Sequence, residues 1–181
     1  DYVIPESGLN TLVGVPGETV STIVVSEPDI SAIRSVLERD NDIAALILEP
    51  TGGHWGQFPL PNPNFLQDIR KITSEQGVVM IMDEVICGFR ISPGGAQARF
   101  NVQPDLTTMA KIVAGGLPGG AVGGKVEIME LIGAQHGPTI NHPGTFNANP
   151  TSATAGIATL ELIANTPINE RADAIASRLK N

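Results

Sequence analysis

The sequence holds a single cysteine in 181 residues, Cys87. That rules out a disulfide framework within the chain and points to a reducing compartment, the cytoplasm. Positive charge is scarce: 11 Lys and Arg stand against 19 Asp and Glu, a formal net charge of −8. A chain with this balance and no Lys/Arg cluster lacks the phosphate-neutralising surface that drives nucleic-acid binding. It is equally ill suited to anionic membrane surfaces. No apolar run approaches the roughly 20 residues that a membrane helix needs. His136 and His142 lie in a loop without metal-ligand spacing, so no metal is expected. No signal-like segment follows Asp1. Both ends, Asp1 and Asn181, are expected to be cut from a longer polypeptide.

What remains is globular. Hydrophobic residues make up 41% and charged residues 17%, a composition that buries a core rather than staying disordered. The length suits one domain. Residues 1–21 are rich in Gly, Pro, Ser and Thr and read as loop. "STIVVSE" (21–27) reads as a short strand. "EPDISAIRSVLERD" (27–40) has helical spacing, with Ile30, Ile33, Val36 and Leu37 on one face and Asp29 near the start. "IAALILE" (43–49) and "VVMIMDE" (78–84) are continuous apolar runs, as in parallel strands covered on both faces. Between them "NPNFLQDIRKITSEQG" (62–77) is an amphipathic helix, turning Phe65, Leu66, Ile69 and Ile72 inward and stopping at Gly77. "PDLTTMAK" and "GAVGGK" read as two further strands. "VEIMELIG", "TSATAGIATLELIAN" and "NERADAIASRLK" read as helices. Alternating strands and helices with short connections predict an α/β fold with a mostly parallel sheet and helices on both faces.

In such sheets the ligand crevice lies beyond the carboxyl ends of the strands. Three strand ends carry polar groups after apolar runs: Glu49, the pair Asp83 and Glu84, and Lys111. Lys111 sits between Ala110 and Ile112 and precedes three Gly-Gly pairs. Two readings are open for it: a solvated lysine, or one held inside to react, as a general base or Schiff-base former. Asp83 is either a capping or salt-bridging acid or the partner of a cofactor's ring nitrogen. "GGLPGG" could cradle a phosphate, which would make the chain a non-catalytic phosphate- or nucleotide-binding module. It lacks the G-x-G-x-x-G spacing of a dinucleotide site. Cys87 reads as a small buried residue rather than a nucleophile. His54 and Trp55 are either loop packing or a wall of a substrate pocket.

Read together, "DEVICGFR", "GGAQ", "PDLTTMAKIVAGGLPGGAVGG" and "GTFNANP", in that order, resemble the core of the class III aminotransferases, pyridoxal-phosphate enzymes of fold type I. Within that group the sequence most resembles glutamate-1-semialdehyde aminomutase and its relatives. The resemblance runs from about residue 40 to residue 181. It implies that residues 1–181 are the central part of the pyridoxal-phosphate-binding large domain, with an N-terminal segment and a C-terminal small domain outside the chain. Asp83 would bond the pyridine nitrogen of pyridoxal 5'-phosphate, Val85 would pack on its ring, and Lys111 would form the internal aldimine. Thr145 would reach the cofactor phosphate of a neighbouring subunit, which implies a homodimer with shared active sites. The substrate would be a small amino compound. Many class III enzymes carry a glutamine three residues after the aspartate. Here that residue is Ile86, and the aminomutase branch is also apolar there. Where some members place a glutamate after "EP", this chain has "GGHWG", with His54 at that position. The 181 residues alone are expected to be an inactive or weakly active fragment of the enzyme.

Overall fold

The computed structural model describes residues 29–51, 62–132, 140, 142 and 144–180. The strand expected at 21–27, and His54, Trp55 and His136, lie outside the described residues. The first helix, α1 (Ile30–Arg39), begins at Asp29, whose carboxylate accepts the Ser31 N–H at 2.8 Å. The strand β1 (Ala45–Leu48) follows, then α2 (Phe65–Gln76) and β2 (Val79–Asp83). The end of α2 is set by Gly77, whose φ of 68° is the left-handed conformation that glycine adopts at little cost. Next come α3 (Gly95–Phe100), β3 (Leu106–Ala110), a 3-10 turn at Lys111–Ala114 and β4 (Gly120–Gly124). The chain closes with α4 (Val126–Met129), α5 (Pro150–Asn165) and α6 (Ile168–Lys180).

The strands form one sheet in the order β1-β2-β3-β4. β1, β2 and β3 are parallel, and β4 returns antiparallel to β3. Period-two alternation gives the sheet two unlike faces. Met80 and Met82 of β2 point into the core with Ile33 and Leu37 of α1 and with Phe65, Leu66, Ile69 and Ile72 of α2. Each such side chain contributes about 1.5–3 kcal/mol by leaving water. The inward face of α2 is the one its spacing predicts. β1 departs from the expectation of cover on both faces: Ala45 is exposed and Ile47 is 62% exposed. Among the described residues it is an edge strand, and that row is left open.

One acid ties the sheet together beneath the site. Asp105, just before β3, accepts the Met80 N–H at 2.7 Å, an Arg70 guanidinium N–H at 2.8 Å and the Lys125 ammonium at 2.7 Å. It thereby links α2, β2 and the start of α4. No helix among the described residues is long and apolar enough to cross a membrane.

Candidate active site

β2 and β3 are parallel, so their carboxyl ends share one edge of the sheet, and Asp83 is paired with Thr108. Asp83 lies on the face opposite Met80 and Met82 and is half-buried. Its Oδ1 accepts the Val85 N–H at 3.0 Å and the Thr108 hydroxyl at 3.3 Å. Its Oδ2 accepts no hydrogen bond among the described residues. Neither Asp83 nor Lys111 joins an ion pair among the described residues.

The adjacent acid has a different task. Glu84 is 1% exposed and turns its carboxylate onto the start of α3. Oε2 accepts the Ala96 N–H at 2.6 Å, while Oε1 accepts the Gln97 N–H at 3.2 Å and its side-chain amide at 3.3 Å. The two backbone N–H groups are ones a helix start leaves unpaired, so the buried carboxyl group finds its hydrogen bonds there. The carboxylate comes so close that a Cβ on Gly95 would collide with it. The two acids of "DE" are thus divided between an open strand end and a structural cap.

Cys87 is 1% exposed, with its thiol 3.7 Å from Glu84 Oε2. Burial, then the carboxylates of Glu84 and Glu49, push the thiol far above its ordinary range, so it stays protonated and unreactive. Its reading as a small buried residue agrees with this geometry. Glu49 is taken up locally, accepting the Thr51 hydroxyl at 2.6 Å and the Thr51 N–H at 3.2 Å.

Lys111 differs from a lysine held inside an apolar run. Ala110 and Ile112 are half-buried, but Lys111 is exposed. The backbone gives the reason. Lys111 has φ of 53°, which swings the chain out of β3 and into the 3-10 turn. A non-glycine residue in this region is strained, and such strain gathers at functional sites.

The glycines after it answer to packing. A Cβ on Gly115 would stand 2.5 Å from the Ala155 carbonyl oxygen, and one on Gly156 would strike the Val113 carbonyl. The Ser152 hydroxyl donates to the Pro118 carbonyl at 2.7 Å. The segment behind Lys111 therefore lies backbone to backbone on α5, which accounts for Gly115 without a phosphate. The same N-terminal end of α5 is capped by Asn149, whose side chain accepts the Ser152 N–H at 3.0 Å. The turn that feeds this cap, Thr145–Ala148, stands on the surface: Thr145 is exposed and Phe146 is 81% exposed. No hydrogen bond or ion pair among the described residues joins Thr145 to Asp83 or Lys111. Val85 and Ile86 are half-buried in the turn after β2.

A cavity of about 540 Å³ lies elsewhere, lined by residues that include Glu84, Phe89, Gly95, Gln97 and Met109 but neither Asp83 nor Lys111. The Glu84 carboxylate in its lining is directed at α3 and Cys87. Asp83 and Lys111 stand instead at the carboxyl ends of β2 and β3. Sequence reasoning passed over Thr108, Glu84 as a cap, and Asp105. The signal for Thr108 was its place in the β3 alternation, and for Glu84 the Gly-Gly that opens a helix ten residues later. Among the described residues no group of three or more His, Cys, Asp or Glu is arranged to hold a metal ion.

Comparison with known proteins carries the assignment further. Residues 18–181 match the family described as Aminotransferase class-III. An omega-transaminase from Sphaerobacter thermophilus is 40% identical with a TM-score of 0.76, over 86% of this chain and 35% of that one. A β-phenylalanine aminotransferase from Variovorax paradoxus is 34% identical with a TM-score of 0.75, over 87% of this chain and 37% of that one. A transaminase with PLP bound is 33% identical with a TM-score of 0.76, over 86% of this chain and 37% of that one. The chain thus spans little more than a third of the length of these relatives. Its mostly parallel sheet is a fragment of the fold type I architecture. By family match and structural likeness alike, the chain belongs to the class III aminotransferases, a pyridoxal-phosphate-dependent enzyme family.

Proposed function

We propose that the chain is the central part of the cofactor-binding large domain of a cytoplasmic, homodimeric enzyme that moves an amino group of a small amino compound with the help of pyridoxal 5'-phosphate. The further segments that complete the fold, before and after this chain, belong to the same proposal. The observation that carries the reading is the edge shared by Asp83 and Lys111: an acid with one carboxylate oxygen unpartnered among the described residues and an exposed amine, at the same ends of neighbouring parallel strands.

This donor set fits the cofactor. Asp83 Oδ2 is an acceptor without a partner among the described residues, which suits a protonated ring nitrogen. Lys111 supplies a primary amine that the strained backbone turns away from the core and into solvent reach. Bound there, pyridoxal phosphate supplies an electron sink for the pair left when the substrate's Cα–H bond breaks. Asp83 keeps the ring nitrogen charged. Lys111 would hold the cofactor by its amine and, when free, its Nζ would serve as the base that takes the substrate's α-proton and returns it to the product. Val85 packs on the ring, and Thr145 donates its hydroxyl to the phosphate in the partner's site. The substrate-pocket role that the sequence suggests for His54 and Trp55 belongs to the same proposal.

A second reading keeps the same residues but moves the amino group between neighbouring carbons of one molecule, as an aminomutase does. The half-buried Ile86, three residues after Asp83, favours it. The two are separated by supplying the complete protein and cofactor with ¹⁵N-labelled amino compounds and a keto acid. Label appearing in the keto acid's product means transamination. Label at the adjacent carbon of the donor means 1,2-migration. Label that stays in place for every donor would contradict both.

A further inference from the structure

We propose that Thr108 is the positioning residue for Asp83, fixing which carboxylate oxygen is offered to the cofactor. The inference rests on the reading of Asp83 as the partner of the ring nitrogen. In β3, Thr107 and Thr108 face opposite sides of the sheet. Thr107 is buried on the helix side, where its hydroxyl oxygen meets the Gln97 side-chain amide at 3.3 Å. Thr108 lies directly across from Asp83 and is half-buried. The strands are pinned at this level, because the Glu84 N–H donates to the Thr108 carbonyl at 2.9 Å.

A carboxylate is acceptor-only, so the Thr108 hydroxyl donates its proton to Oδ1. The Val85 N–H donates to the same oxygen. One backbone donor alone leaves the carboxylate free to rotate about its last torsion, which for aspartate is broad. Two donors of separate origin, one from the turn after β2 and one from β3, define its plane. Oδ1 is thereby occupied and Oδ2 is presented.

The test uses the complete protein with Thr108→Val, which keeps the shape, Thr108→Ser, which keeps the hydroxyl, and Asp83→Asn. Two quantities are read: the dissociation constant for pyridoxal phosphate by equilibrium dialysis, and the melting temperature of the cofactor-free protein. Loss of one charge-assisted hydrogen bond predicts that Thr108→Val weakens cofactor binding about fivefold or more. The melting temperature should stay within about 2 °C of wild type. Thr108→Ser should bind within about twofold of wild type. Wild-type affinity in Thr108→Val, or equal weakening in the Val and Ser variants, would overturn the inference. If Asp83→Asn weakens binding and Thr108→Val does not, only the role of Thr108 fails. If Asp83→Asn also binds as wild type does, the reading of Asp83 fails with it.

Discussion

Asp83 and Thr108 stand opposite each other across parallel strands, and the threonine hydroxyl lies 3.3 Å from the carboxylate. Three residues later, Lys111 leaves the strand through a left-handed backbone step. Acid and amine, distant in sequence, are thus brought to one sheet edge by strand register alone. The amine is left exposed, and among the described residues one oxygen of the acid accepts no hydrogen bond. This is the arrangement from which the functional reading grows.

Asp83→Asn keeps the side chain's shape and removes its charge. If the carboxylate holds a ring nitrogen protonated, the change should cost about 3 kcal/mol or more of transition-state stabilisation. That corresponds to a fall in kcat/KM of about 100-fold or more. Steady-state kinetics of the complete enzyme check this, and near-normal kcat/KM would remove Asp83 from the cofactor's partners.

Asp105 should make stability depend on acidity. Burial pushes its pKa up, but the Lys125 ammonium, the Met80 N–H and the Arg70 guanidinium outweigh burial and bring it from 3.8 down to about 2. A carboxyl whose folded pKa is depressed stabilises the fold above its unfolded pKa and loses that contribution as pH falls through the folded one. The shift corresponds to about 2 kcal/mol as an upper bound, since Lys125 is partly exposed and screened. Urea unfolding of wild type and Asp105→Asn should give a stability gap of about 1–2 kcal/mol at pH 7 that narrows between pH 4 and pH 2. A gap independent of pH would contradict this role.

Much of the architecture was legible because it follows from periodicity. The inward face of α2, the Gly77 stop and the polar strand ends all rest on local rules, and each stands in the structure as the pattern predicts. What the sequence hid depends on long-range placement. Nothing local distinguishes Thr108 from Thr107, yet register turns one to Asp83 and the other to Gln97. Asp105 reads as an ordinary loop acid until Arg70 and Lys125 meet on it. The exposure of Lys111 was hidden in a single positive φ. The glycine ribbon suggested a phosphate loop, whereas Gly115 answers to α5, a contact 40 residues away in sequence.

That contact can be tested by filling it. Gly156→Ala would press a methyl group against the Val113 carbonyl, behind the turn that carries Lys111. Overpacking of this kind costs about 1–3 kcal/mol. The melting temperature should therefore fall by several degrees. Gly123→Ala is the control: its new Cβ meets only the tip of Met109, at 3.8 Å, so little change is expected. Equal melting temperatures for both variants and wild type would refute close packing of the turn on α5.

The surface position of Thr145 bears on assembly. A mixed dimer of the complete protein, with Thr145→Ala in one chain and Lys111→Ala in the other, separates two arrangements. If Thr145 serves the partner's site, both lesions fall in one site and the other is intact, giving activity near half of wild type. Activity no higher than that of the two single-variant homodimers would show that Thr145 serves its own chain.

The most direct measurement concerns Lys111 itself. Borohydride reduction of the complete protein loaded with pyridoxal phosphate converts a lysine–cofactor linkage into a stable secondary amine, which peptide mass mapping locates. The predicted result is a pyridoxyl-phosphate adduct on the peptide containing Lys111 and none in Lys111→Ala. Lys125, held 2.7 Å from Asp105 by an ion pair, should stay unmodified. An adduct found only on Lys125 or another lysine, with Lys111 unmodified, would contradict the account.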